Sequence, residues 1–394
     1  MTSKFDQTQV QASNRCPVCC RDGECIVNLP DYPITEVYKP FGSKDYAGPI
    51  CADQSLLFCP ECEHLYLGMY LPRDFLYTHY VTESSASLGA QIALDNFHAF
   101  VVASKPEPAA GIIDIGANDT SLLGRFADYG AKLVGVDPNI TSNDPRIECV
   151  KGYVEDCNLA AIAPGRRIYL CSHTIEHLYD VRGFMRQMAA VLTDDDDFFV
   201  QFPSFELLVR DASFDQVHHQ HLNYFSLRSF SRLLADCGLV VIDYRFDGDH
   251  YGALMCHVQK APASAVTLPQ GVQRNSERVR AAHRAFLQSM AAAEQRIALL
   301  DGDFYCFGAS LMLPILAYYL PSLVCGRAIL DSNRSKHGLT YINFELPIRG
   351  DEEVNYHDID LVITAVATKA ATRRIARLLI ERGARNIVFP LNTL

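Results

Sequence analysis

The chain has 394 residues, 49% apolar and 21% charged, an ordinary balance for globular domains and enough length for two or three of them. Its 35 Lys and Arg against 46 Asp and Glu give a net charge of −11 with no basic run, which argues against nucleic acid as a partner. The amino terminus has no apolar core to act as a secretory signal, and the longest uncharged apolar stretch, 311–325, is interrupted by Pro314 and Pro321 and falls short of the ~20 residues of a membrane span. A cytoplasmic protein that binds neither nucleic acid nor membrane is therefore expected.

Seven of the fourteen cysteines lie in the first 62 residues, in a turn-rich stretch too small to build a large core. Cys16-Pro-Val-Cys19 and Cys59-Pro-Glu-Cys62 are paired C-x-x-C knuckles, the spacing of a closed four-thiolate structural zinc site. Reduced core cysteines are the alternative; within the zinc reading, Cys20, Cys25, Cys51 and His64 are the spare donors.

From about residue 90 the pattern changes to alternating strands and helices. GIIDIG (111–116) reads as a strand, SLLGRFADYG as the helix after it, and KLVGVD (132–137), RIYLCS (167–172) and DFFVQFP (197–203) as further strands of a parallel sheet. The turn IDIGANDTS carries one glycine, Gly116, followed by Asn118 and Asp119, with Asp114 before it. A dinucleotide needs G-x-G-x-x-G amides around its pyrophosphate, and an acid there would repel it. The turn suits a cofactor with a cationic amino-acid end, S-adenosylmethionine, and Asp137 at the end of the next strand suits the ribose hydroxyls. A turn that binds nothing is the alternative.

SHTIEHLYD puts Ser172, His173 and His177 at the carboxyl edge of the sheet, and FDQVHHQHLNYFS adds His218, His219 and His221 on a loop. Histidines gathered there suit acid/base work near neutral pH, with His177 and His221 the favoured pair; His173 and His219 read equally well as capping or core residues. KAPASAVTLPQG (260–271) reads as a linker, followed by a long helix from about 275 to 300. A second α/β unit then carries strands in DFYCFG, RAILD, DLVITAV and NIVFPL.

In order along almost the whole chain, these segments resemble the S-adenosylmethionine-dependent C-methyltransferases of nucleotide-linked deoxysugar biosynthesis. CPVC with CPECEHLYL resembles their zinc knuckles, IDIGANDTSLL with GVDPN their cofactor turn, and SHTIEHLYDVRGF the segment bearing one active-site histidine. FDQVHHQHLNYFS resembles their most specific motif, F-D-x-x-Y-H-E-H-x-x-Y-F-S. The resemblance implies an α/β protein of three parts: a zinc-binding domain over 1–85, a Rossmann-like class I methyltransferase domain over 86–262, and a second Rossmann-like domain over 272–394 that helps hold a nucleotide sugar. The implied cofactor contacts are Asp114, Gly116, Asn118, Asp119, Asp137, Pro138, Ser172 and His173. The implied catalytic positions are His221, His177, His218, Gln220 and Tyr80.

The family's chemistry removes a proton beside a ketone and methylates the resulting enolate carbon, with no metal required. The sequence departs from the pattern at four places. Gln220 replaces a glutamate, His218 a tyrosine, Thr120 a glycine, and YVTES keeps Tyr80 but has Thr82 in place of a second tyrosine. A sugar O-methyltransferase, needing one base and no enolate support, is one alternative; a noncatalytic sugar-nucleotide binder is another. FGAS (307–310) has too few glycines for a dehydrogenase. A monomer or homodimer is expected.

Overall fold

The computed structural model describes residues 10–35, 37–44, 50–78, 84–104, 106–162, 165–248, 252–261, 276–365 and 369–391. Tyr80, Thr82 and all but the first two residues of the expected linker lie outside them.

The central sheet has seven strands in the order Ile147–Lys151, Lys132–Asp137, Gly111–Ile115, Arg167–Ser172, Asp197–Pro203, Ala253–Lys260 and Leu239–Asp247. The first five are parallel. Strand order reverses between Gly111–Ile115 and Arg167–Ser172, and a crevice opens at their carboxyl ends. This is a Rossmann-like sheet.

Three expectations need correction. The sheet is mixed, because Ala253–Lys260 runs antiparallel to both its neighbours. Two adjacent antiparallel strands need no crossover helix, so the chain turns straight back. Ile147–Lys151 is an additional strand; its exposed Glu148, Cys149 and Lys151 suit a sheet edge and hide it from a search for apolar runs. The expected helix over SLLGRFADYG is only Ser121–Gly124, and the chain continues in turns that drop Phe126 into a core with Leu94 and Phe97.

The cysteine-rich segment forms a four-stranded antiparallel sheet, in the order Asn223–Tyr224, Leu65–Leu67, Cys51–Phe58 and Glu24–Pro33. Its edge strand therefore comes from the histidine loop. Near the carboxyl end, five parallel strands run in the order Ile348–Gly350, Ile329–Asp331, Phe304–Phe307, Asp360–Ile363 and Asn386–Val388. Helix Ser276–Ala298 buries Val279, Phe286, Met290, Ala293 and Ile297, one stripe at helical spacing. That stripe packs into a core shared by residues of the amino-terminal sheet and the five-stranded sheet. Among the described residues, no helix is long and apolar enough to cross a membrane.

Candidate active site

The turn after strand Gly111–Ile115 has little room for side chains. Gly116 has φ +80°, and a Cβ there would collide with Thr174, whose own Cβ and Cγ2 would lie 2.9 Å from it. Asn118 and Thr120 also sit at positive φ, 48° and 59°. Asparagine tolerates this; a β-branched threonine does so at a cost. Thr120 Oγ1 donates to Ser142 Oγ at 2.8 Å, which holds it in place.

Three carboxylates surround this turn. Asp137 accepts from the Asn139 amide at 2.6 Å and the Asn118 amide at 3.3 Å. Asp119 accepts from the amides of Ser85, 2.6 Å, and Ser121, 3.1 Å. Burial works against its charge, but these donors prevail and hold its pKa below the ordinary value. Asp114 is the opposite case. It is 2% exposed and its Oδ1 has no hydrogen-bond partner among the described residues. Burial, with Asp137 and Asp119 adding repulsion, pushes its pKa up to about 8.

Two adjoining open clefts border the turn. One, of about 880 Å³, is lined by Gly116, Asn118, Asp137, Pro138, His173, His177 and Gln220, and also by Arg73, Tyr153 and Tyr179. The other, of about 890 Å³, shares Gly116, Asn118, His173, His177 and Gln220 and adds Asp114, Asp119, Ser172, His218, His221 and, from beyond strand Phe304–Phe307, Leu311. The structure thus gathers all the candidate cofactor and catalytic positions except Tyr80, which lies outside the described residues.

The histidines divide by their partners. His177 Nδ1 lies 2.9 Å from the Gln220 carbonyl oxygen, which can only accept, so Nδ1 carries the hydrogen. In the neutral ring Nε2 then holds the lone pair. The His221 ring packs between His177 and His218, with centroids 4.8 and 4.0 Å away. Burial lowers the pKa of both His177 and His218, and neighbouring imidazoles add to this. His173 is held between the Gln201 amide, which donates to its Nε2 at 2.9 Å, and Glu176 Oε1, 3.2 Å from its Nδ1. Burial lowers its pKa to about 4. His219 points away. It accepts from Gln54 at 3.1 Å and donates to the Tyr32 carbonyl at 3.1 Å, so it is a satisfied core histidine.

Glu176 was missed by sequence reasoning. It is 1% exposed, its Oε2 has no hydrogen-bond partner among the described residues, and burial pushes its pKa up to about 7. One polar side-chain atom from each of Glu176, His177 and His221 falls within 4.8 Å of the others.

The four knuckle cysteines also meet. Their sulfurs all lie within 4.8 Å of one another, with Cys16–Cys62 at 3.5 Å and Cys19–Cys59 at 3.4 Å. A zinc–sulfur bond of ~2.3 Å gives tetrahedral edges of about 3.8 Å, so the set fits a zinc ion. The two knuckles fold alike. Cys20 and Glu63, each following the second cysteine, have φ of 61° and 59° and donate back to the carbonyls of Cys16 and Cys59. His64 is engaged elsewhere, with Asn223 and Ser229.

Residues 89–244 match the family model described as a methyltransferase domain, a span that covers the turn, both histidine segments and most of the central sheet. The C-methyltransferase NovU of Streptomyces niveus is 27% identical over 250 residues, 57% of this chain and 58% of that protein, so the chain spans less than two thirds of that relative. Among solved structures, a Burkholderia thailandensis 1,6-didemethyltoxoflavin-N1-methyltransferase with bound S-adenosylhomocysteine superposes with a TM-score of 0.36 at 16% identity, over 44% of this chain and 80% of that one. Human N-acetylserotonin methyltransferase in complex with S-adenosylmethionine gives a TM-score of 0.36 at 15% identity, over 49% and 61%. Residues 89–244 therefore form a methyltransferase domain.

Proposed function

We propose that this protein transfers a methyl group from S-adenosylmethionine to a carbon beside the ketone of a nucleotide-linked deoxysugar. The observation that carries the reading is the shared cleft: the cofactor turn and the histidine cluster open onto the same space. An orphaned buried Asp114 oxygen and a turn with no room for a Cβ fit a cofactor whose amino-acid end is cationic. Asp114 and Asp119 would face that end, Asp137 the ribose, and Asn118, Pro138, Ser172 and His173 would complete the contacts. When bound, the cofactor supplies an electrophilic methyl group that needs no metal activation.

The chain's own residues handle the proton and the enolate. His221 takes the proton from the sugar carbon. His177 is aligned by its bond to the Gln220 carbonyl so that Nε2 faces the same task and shares the proton. His218, a buried neutral ring beside His221, lines the pocket for the developing enolate. Gln220 positions His177 through its backbone carbonyl. Tyr80 would add a hydroxyl from the segment ahead of Ser84. The nucleotide sugar would lie between the central sheet edge and the second Rossmann-like domain, the side from which Leu311 reaches the cleft. Cys16, Cys19, Cys59 and Cys62 would hold one structural zinc.

One observation favours a second reading. Gln220 cannot titrate, and methylation of a sugar hydroxyl needs one base and no enolate support. A panel of keto-deoxysugar nucleotides separates the two. C-methylation predicts solvent deuterium exchange at the carbon beside the ketone and a methyl resonance on carbon. Methyl on oxygen with no exchange by the wild-type protein would replace it with the O-methyl reading.

A further inference from the structure

We infer that Glu176 supplies the carboxylate that the histidine motif lacks at Gln220, acting from behind the histidines as a positioning residue. The inference rests on the acid/base reading of the cleft above. The histidine motif has no carboxylate between His219 and His221. The structure supplies one from a different segment, the short helical turn Ile175–His177 at the carboxyl edge of the sheet.

Three features assign Glu176 this place. It is 1% exposed and does not line either cleft, so it cannot touch substrate. Its Oε2 is buried with no hydrogen-bond partner among the described residues, an expensive state for a group with no task. It lies close to both rings of the proposed base pair, with polar atoms of Glu176, His177 and His221 inside 4.8 Å. Its Oε1 is paired with His173, whose backbone holds a φ of 52° at that point. Tyr224 and Cys171 also face it, and both are buried and neutral.

Removal of the substrate proton breaks the C–H bond. Its electron pair enters the enolate and the proton goes to an imidazole, making an imidazolium on the partly buried wall of the cleft. Isolated, that cation is costly to form. The carboxylate at Glu176 faces it, favours its formation and keeps the rings in register. The proton later leaves to water through the open cleft. Glu176 in its ionised form is never consumed.

The test compares Glu176→Gln, Glu176→Asp and the double variant Glu176→Gln/Gln220→Glu in the full-length protein. Gln keeps the shape and an acceptor for His173, so folding survives. E176Q should lower the turnover number and the deuterium-exchange rate about 10- to 100-fold, the range for a group acting through the base. The KM for the sugar and the affinity for S-adenosylhomocysteine should stay within about twofold. E176D should keep part of the rate, and moving the carboxylate to position 220 in the double variant should restore about tenfold over E176Q. A purely structural role would show no such rescue. Wild-type turnover in E176Q, or a double variant no faster than E176Q, overturns the inference. A wild-type protein that binds cofactor but catalyses no exchange overturns the functional reading along with it. Activity lost to a chelator with the thiolate-bound metal retained, and restored by Mg²⁺ or Mn²⁺, overturns it too, by making these three residues cation ligands.

Discussion

Gly116→Ala is the most direct probe of the cofactor turn, because two separable penalties meet at one atom. The first is backbone: an L-residue at φ +80° carries a left-handed cost of roughly 1–2 kcal/mol. The second is collision with Thr174, whose Cβ and Cγ2 would lie 2.9 Å from the new methyl. Thr174 cannot swing away freely, since its hydroxyl lies 3.2 Å from the carbonyls of both Ile115 and Ser172. Overpacking of this kind costs about 1–3 kcal/mol, so the total is about 2–5 kcal/mol. Thr174→Ala alone loses one shared hydrogen bond, about 1 kcal/mol. In the Gly116→Ala background it should instead relieve the part of the collision made by Cγ2 and the hydroxyl, leaving the Cβ contact and the backbone share. Urea unfolding of the four proteins gives the coupling energy as a double-mutant cycle, expected at about 1–3 kcal/mol in the relieving direction. Calorimetry should show S-adenosylhomocysteine binding at least about tenfold weaker in Gly116→Ala, equivalent to about 1.4 kcal/mol. A Gly116→Ala protein as stable as wild type, or strictly additive variants, would refute the reasoning.

Asp137→Ala should weaken S-adenosylhomocysteine binding by about 1.5–3 kcal/mol per lost charged hydrogen bond, read by calorimetry, with little change in the fold. Asp114 has a native pKa of about 8 against an unfolded value of ~3.9, so the cofactor-free protein should lose stability as pH rises through that interval. Urea melts should show this slope and Asp114→Asn should flatten it; cofactor binding near pH 7 should release a proton, visible as a dependence of binding heat on buffer. Metal analysis should find one zinc per chain, and Cys59→Ser should lose it together with stability. His221→Ala should cut turnover about 100- to 10,000-fold while cofactor affinity holds, whereas Gln220→Ala, which keeps the carbonyl that aligns His177, should act mildly.

Much of the site could be read from the sequence because its parts are local. Gly111–Ile115 and Lys132–Asp137 are short apolar runs that end where the ligand edge must be, so Gly116 and Asp137 stand out without any tertiary information. Cysteine spacing alone brought Cys16, Cys19, Cys59 and Cys62 together. The rest depended on contacts between distant segments. Glu176 beside His177 looks like an ordinary acid in a surface turn; burial under the sheet edge gives it a different meaning. His219 differs from His218 and His221 only through Gln54 and the Tyr32 carbonyl, which come from the cysteine-rich sheet. Ile147–Lys151 escaped because an edge strand can be polar, and it is the strand whose end brings Gly152 and Tyr153 to the first cleft.

The two-residue strand Asn223–Tyr224 has a consequence for how the chain is made. It pairs with Leu65 and Tyr66, just beyond Cys62, and the Asn223 side chain reaches His64 and the Leu178 carbonyl. Tyr38–Pro40 likewise pairs with Leu339–Tyr341. The cysteine-rich segment is therefore finished late, after its partners further along the chain, around residues 223 and 340, have been translated. Until then the Leu65–Leu67 edge stands unpaired, the kind of edge that recruits other chains. An ion caught early by the four sulfurs would hold the two knuckles together through that interval. Chains arrested before residue 223 should clump in proportion to metal starvation, even though they already contain every cysteine of the cluster.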